Sequence, residues 1–312
     1  MENFNTISKG NPNLGNTCFF NSVLQLLVQC TVLNKLLIDN NIEGPLIDIY
    51  KRYLESYFVT GSIQVQVQVQ VQAQKQADPG EIVRYVSKLL GRRGWSQEDA
   101  DQYVNFIIDC IIDEFKEWAK KNSELIVANK SISLDELVNS LFTIKCNKQI
   151  FCSECGYISK TNDDINKLYL SINNVQPLTD LNKLLSIYVD ETLDNENRWK
   201  CDKCEQFICA NIKRNIYKWP KYLVVTLKRY ANNNHKINTE IDMPVSFVFG
   251  SKNFVLRGFI YHMGSTGGGH YVYYGCKNSK WFLYNDSSVS EIDQNTLNDV
   301  IKTGYIYLYV CK

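Results

Sequence analysis

"GNTCFFNSVLQLL", residues 15–27, sets a cysteine directly ahead of a dense apolar run in which Phe20, Val23, Leu24 and Leu27 recur at helical spacing. A free cysteine often serves as a small buried apolar group. Here Asn16 and Thr17 are good N-cap residues, which leaves Cys18 in the first turn of the expected helix, where unpaired amides and the macrodipole favour an anion. A nucleophilic thiolate also needs a base and an orienting partner from elsewhere in the chain.

Composition bounds the search. The 312 residues suffice for one large domain or two modest ones, and 45% hydrophobic with 21% charged residues is an ordinary globular balance. A formal net charge of +1 gives no electrostatic reason to expect a nucleic-acid partner. The opening "MENFNTISKGNPN" lacks the basic and apolar regions of a signal peptide, and no uninterrupted apolar run is long enough to span a bilayer. The expected setting is therefore intracellular, cytoplasmic and/or nuclear, away from membranes. The 11 cysteines are odd in number, and four of them form two tight pairs, which fits reduced thiols and metal binding better than a disulfide framework.

Helical spacing runs from Asn16 to about Asp39 and again from about Glu98 to Ala119. From about Leu141 the texture changes to β-branched and aromatic runs such as "LVVTLKRY", "FVLRGFIYH" and "GYIYLYVC". Helices first and antiparallel strands later imply an α+β fold. "SIQVQVQVQVQAQKQ", residues 62–76, alternates like a strand, but its glutamine repetition and the "ADPG" turn after it point to an exposed low-complexity insert.

The chain has three histidines, His235, His262 and His270. His235 in "NNNHK" reads as a solvated turn residue. His270 follows three glycines and opens the run "HYVYYGC", which turns at "KNSK" and returns as "WFLYND". A turn centred between Lys277 and Asn278 sets His270 opposite Asn285, with Cα atoms about 4.5–5.5 Å apart. The amide would then fix the imidazole tautomer. A register shift of a residue or two would bring in Asp286 instead.

"FCSECG" and "KCDKCE" supply Cys152, Cys155, Cys201 and Cys204, each pair with the knuckle spacing of tetrahedral zinc ligands. With four thiolates and no open position, one such zinc would be structural. Its wide separation in sequence would let it clamp two distant hairpins.

Together these segments resemble the ubiquitin-specific proteases. "NLGNTCFFNSVLQLL" is similar to the family's cysteine box, and "GFIYHMGSTGGGHYVYY" with "WFLYNDSSV" to its histidine box. "QEDADQYVNFIID", "YLVVTLKRY" and "KINTEIDMPVSF" are similar to the segments between, in the same order. The resemblance implies a papain-like right hand in a single catalytic domain. A helical thumb would span about 13–135, zinc-binding fingers about 140–215 and an antiparallel palm about 216–312. It implies a deubiquitinase that cleaves after the C-terminal glycine of ubiquitin, with no organic cofactor, acting as a monomer on ubiquitin and ubiquitinated proteins. Cys18 would be the nucleophile, His270 the base, Asn285 its orienter, Asp286 a helper and Asn13 an oxyanion donor. Asp99, Gln102, His262 and Tyr271 would line the tail channel. Gln102 departs from the family, which usually carries an acid there, and Asp101 on the same helix faces elsewhere. The rival readings are a catalytically weak ubiquitin-binding module and a protease for a ubiquitin-like modifier.

Overall fold

The computed structural model describes residues 9–58, 78–92, 96–122, 134–173, 175–193, 197–230, 235–265 and 267–312. The low-complexity insert at 62–76 lies outside them.

Six helices come first: α1 (Cys18–Val28), α2 (Thr31–Asp39), α3 (Pro45–Phe58), α4 (Gly80–Leu89), α5 (Ala100–Lys121) and α6 (Leu134–Phe142). The helical spacing expected from Asn16 to Asp39 resolves into α1 and α2, which meet at 76°. No single helix among the described residues is long and apolar enough to cross a membrane. All eleven residues of α1 are buried, so it is the central rod of the helical layer and not an amphipathic surface helix. Asn34 of α2 fixes the break by donating from Nδ2 to the carbonyls of Leu27 and Val28, at 3.3 and 3.0 Å. The Val28 carbonyl is one that the end of α1 leaves open, while that of Leu27 also accepts from Cys30 N at 2.9 Å.

Two sheets follow. The smaller has the order β2-β1-β5-β4, built from β1 (Ile144–Cys152), β2 (Ile158–Ile165), β4 (Asp190–Leu193) and β5 (Ala210–Lys218). The larger has the order β11-β10-β9-β8-β12-β6-β3. Its strands are β3 (Leu168–Leu170), β6 (Tyr222–Leu227), β8 (Lys252–Ser265), β9 (Gly268–Lys277), β10 (Lys280–Asn285), β11 (Ser288–Ile292) and β12 (Ile306–Cys311), with β7 (Ser246–Phe249) paired to β8. Helix α7 (Leu181–Val189) and the short α8 (Gln294–Val300) complete the chain. The 140–215 stretch is therefore not one unit: β3 pairs with β6 of the large sheet, and Leu181, Leu184 and Leu185 of α7 join that sheet's core.

The large sheet is covered on both faces, which explains why β6 is buried throughout and apolar at every position but Thr226. Tyr222 and Val224 face the helical layer, while Leu223, Val225 and Leu227 pack in a second core with α7 and α8. Removing one such leucine, for example Leu24→Ala in α1, would cost about 2–5 kcal/mol. The small sheet is different. Its own cluster holds just four buried residues, Cys152, Cys201, Ile208 and Ala210.

Candidate active site

Cys18 is the first residue of α1 and 3% exposed. Thr17 occupies the N-cap position without capping: its hydroxyl instead accepts from Leu14 N at 2.9 Å and donates to Asn13 Oδ1 at 3.3 Å. The expected thiolate stabilisation is correspondingly incomplete. Burial pushes the Cys18 thiol above its ordinary value, opposed by the Tyr271 backbone N–H, and the Asp286 carboxylate pushes it further up. The amides of Phe19 and Cys18 act downward.

His270 lies on β9, which packs across α1. Its Nε2 is 2.7 Å from Asn285 Oδ1 at the end of β10. An amide oxygen only accepts, so Nε2 carries the proton and donates, leaving Nδ1 as the acceptor. The register differs from expectation by two residues. The hairpin closes at Lys277↔Lys280, with Asn278 and Ser279 both at positive φ, and its ladder is recorded to Tyr273↔Tyr284. His270 and Asn285 are thus diagonal and not directly opposed, a spacing that long side chains still bridge.

Asp286 faces away from this pair. At φ 49° it turns its carboxylate to the segment ahead of α1: Asn21 Nδ2 donates to Oδ1 at 2.7 Å, and Asn13 Nδ2 donates to Oδ2 at 2.9 Å. Its carbonyl accepts from Asn11 N at 2.9 Å. The strand passes so close that a Cβ on Gly10 would lie 2.4 Å from the Asp286 carbonyl oxygen. Asn13 Oδ1 in turn accepts from Gly15 N and Thr17 N. Asp286 therefore anchors the loop that holds Asn13 beside Cys18.

His262 and Tyr271 are cross-strand partners with ring centroids 4.3 Å apart. His262 Nδ1 is 2.6 Å from the Tyr230 hydroxyl, and burial, then Lys236 and His270, hold it down to about 4. It is neutral at physiological pH. A Cβ on Gly269 would meet the Met263 carbonyl at 2.1 Å and His262 Nε2 at 2.4 Å, so this position accepts only glycine.

Asp99 caps α5 by accepting from Asp101 N at 2.9 Å and also accepts from the Tyr305 hydroxyl at 3.0 Å. Although the residue reaches solvent, protein packed around the carboxyl raises it above the usual carboxylate range. Asp101 is occupied otherwise: Lys167 Nζ, the Tyr169 hydroxyl and the Thr226 hydroxyl donate to it at 2.7, 2.9 and 2.6 Å. It does not replace the acid missing at 102. Gln102 is exposed and accepts from Arg92 at 3.3 Å.

Two contributors escaped sequence reasoning. Gln97 grips the Gly269 backbone from both sides, its Nε2 donating to the carbonyl at 3.0 Å and its Oε1 accepting from the amide at 3.1 Å. The start of the α5 segment is thereby tied to the residue before His270. Asn21, the anchor for Asp286, had a signal: an amide buried within a largely apolar helix needs a partner.

Cys152, Cys155, Cys201 and Cys204 bring their sulfurs within 4.8 Å of one another. The Cys152–Cys204, Cys152–Cys155 and Cys155–Cys201 separations are 3.8, 3.4 and 3.7 Å. A tetrahedron with Zn–S bonds of about 2.3 Å has edges of about 3.8 Å, so the donor set fits zinc. The two knuckles also repeat one local geometry. Cys152 N donates to Tyr157 O and Cys201 N to Gln206 O, while Gly156 and Glu205 sit at φ 67° and 57°.

A thiol at the start of a helix that packs on the strand bearing an imidazole–amide pair is the layout of a papain-like fold. Comparison with known proteins narrows the class. The family model described as ubiquitin carboxyl-terminal hydrolase matches residues 9–309, and the chain belongs to that family. It is 27% identical to Ubiquitin carboxyl-terminal hydrolase Usp2 of Drosophila melanogaster, over 96% of this chain and 34% of that protein. It is 25% identical to human Ubiquitin carboxyl-terminal hydrolase 2, over 96% of this chain and 54% of that one. The chain thus spans about a third to a half of these relatives. Among solved structures, the SAGA DUB module Ubp8(C146A)/Sgf11/Sus1/Sgf73 bound to monoubiquitin superposes with a TM-score of 0.71 at 21% identity, over all of this chain and 71% of the matched chain. That likeness establishes the fold. The neighbour is a multi-protein module, so the expectation of a monomer gains no support from it.

Proposed function

We propose that this chain is a deubiquitinase that hydrolyses the peptide or isopeptide bond after the C-terminal glycine of ubiquitin. The observation that carries the reading is the His270 Nε2–Asn285 Oδ1 contact of 2.7 Å, which leaves Nδ1 available to a thiol on the helix packed across the strand. Family membership and the names of the relatives support ubiquitin as the substrate.

In the proposed reaction His270 Nδ1 takes the Cys18 proton as Sγ attacks the glycine carbonyl carbon. The oxyanion is met by the Asn13 Nδ2 proton not given to Asp286 and by the Cys18 amide, a type of donor whose loss typically costs about 10²–10³ in turnover. His270 then returns the proton to the departing amine. Water deprotonated by the same imidazole cleaves the thioester, which frees the ubiquitin carboxylate and the thiol. Asn285 orients His270, and Asp286 secures the oxyanion loop.

Asp99, His262 and Tyr271 would line the tail channel, with exposed Gln102 at its mouth. The four cysteines would hold one structural zinc, joining the ends of β1 and the 199–208 hairpin where the local core is thin. The odd cysteine count and the two CxxC pairs favour a reducing, intracellular setting.

The test is a ubiquitin probe with a C-terminal electrophile. Intact mass should rise by one ubiquitin at Cys18, and Cys18→Ala should bind without adduct; an adduct on another residue, or none on folded protein, defeats the reading.

A further inference from the structure

On the side of the helical layer where α1 gives way to α2, a cavity of about 360 Å³ opens between these helices and the large sheet. Ligand sites commonly fall in the range of about 300–1,000 Å³. Lys221, just ahead of β6, and Arg257 and Lys277, on β8 and β9, line it, and no aspartate or glutamate is among its lining residues. Lys221 donates to the Cys311 carbonyl at 2.7 Å, while neither Arg257 nor Lys277 forms a salt bridge among the described residues.

The cations converge for a reason rooted in the fold. Val310 pairs with Tyr222 on one side and with Val255 on the other, while Gly258, three residues along β8, pairs with Leu308 and Gly275, so neighbouring rows of β6, β12, β8 and β9 meet here. Arg257 occupies the register shift between Leu256 and Gly258, an irregularity of the kind that re-aims a side chain. In a chain with a formal net charge of +1, three cations around one half-buried cavity are a local excess that an anion would relieve. Burial lowers the Lys277 ammonium from its ordinary value, with no carboxylate acting against that shift. Tyr57, Phe58 and Tyr284 give the lining an aromatic part.

We propose that this cavity binds a phosphate monoester of a small molecule, with Arg257 and Lys277 on the phosphate and the aromatic side chains against its organic part. An arginine fork and an ammonium suit phosphate oxygens, and aromatic faces suit a ring. The site is separate from the thiol machinery and does not rest on the ubiquitin reading.

The test titrates the intact zinc-loaded chain with phenyl phosphate and with inorganic phosphate, balanced with sodium chloride to constant ionic strength. Calorimetry and the melting temperature are the readouts. Phenyl phosphate should bind saturably at one site and raise Tm, with affinity several-fold above that of inorganic phosphate. Arg257→Gln/Lys277→Gln should weaken it at least tenfold while its ligand-free Tm stays close to wild type. Should the double variant fold poorly, Lys277→Gln alone should weaken binding about threefold. Absence of saturable binding beyond the chloride control, or equal binding by the variants, overturns the site. Equal affinity for the inorganic ion overturns the ester.

Discussion

Asn285 Oδ1 accepts from His270 Nε2 at 2.7 Å while the neighbouring Asp286 carboxylate binds Asn13 and Asn21. Adjacent residues at the end of one strand thus serve different halves of the site. Asn285→Ala should lower kcat by about tenfold to a hundredfold, equivalent to ~1.4–2.7 kcal/mol, with little change in Tm. Asp286→Ala strips acceptors from two amides and should cost about 1–3 kcal/mol of stability, lowering Tm by several degrees as well as slowing turnover. Kinetics and calorimetry on both variants decide this; equal Tm losses would contradict the division.

Gln97 holds Gly269 through two hydrogen bonds and touches no reacting atom. Gln97→Ala should reduce kcat about tenfold with a smaller change in KM, because His270 loses its upstream restraint. Gln97→Glu keeps the acceptor but loses the donor and should restore little. A purely structural role would appear as a Tm loss without a kcat loss.

His262 is neutral in the fold, with its value held down to about 4 against an unfolded value near 6.5. Its contribution to stability is therefore complete above about pH 6.5 and is lost as pH falls through about 4, since the unfolded chain takes up the proton first. The effect is on the order of 3 kcal/mol. Denaturant titrations at pH 4, 5, 6 and 7 should show a slope in wild type that His262→Gln flattens. An unchanged slope would place the cause elsewhere.

Removing zinc should unfold the small sheet before the rest, because its core has four buried residues against the extensive clusters on both faces of the large sheet. Metal analysis should find about one zinc per chain, and Cys204→Ser should lower it. Hydrogen exchange after chelation should accelerate in β1, β2 and β5 first. Uniform acceleration would contradict the idea.

Gln102 sits beside Arg92, which also pairs with Glu98 at 3.3 Å. Gln102→Glu alone should lower KM for ubiquitin substrates only about twofold, since Arg92 neutralises part of the new charge. Arg92→Gln/Gln102→Glu should reach about fivefold, and the gain should shrink as salt rises. A salt-independent gain would mean the contact is not electrostatic.

The α+β order of elements and the four-cysteine cluster were legible because each rests on a local signal, helical spacing, β-branched and aromatic runs, and knuckle spacing, whereas the hand-like arrangement came from the resemblance to the ubiquitin-specific proteases. Partner choice was less so. The hairpin register depended on whether Asn278 and Ser279 would both accept positive φ, which nothing in "KNSK" dictates. The Asp286 anchor joins residues 265 and 273 positions apart, beyond any periodic pattern. The Gln97 contact reaches Gly269, 172 positions away, likewise outside any local pattern.

The large sheet has a consequence for biogenesis. β12, the last strand in chain order, lies between β8 and β6, near the middle of the sheet. On a ribosome adding roughly 5–20 residues per second, the strand carrying His270 emerges well before the strand that must slot between its neighbours. Cys18 precedes β12 by about 290 residues, so the thiol is made long before the sheet behind it can close. Through that interval the thiol stands before an unfinished sheet. A stalled product ending before Ile306 should remain open, protease-sensitive and silent toward an electrophilic ubiquitin.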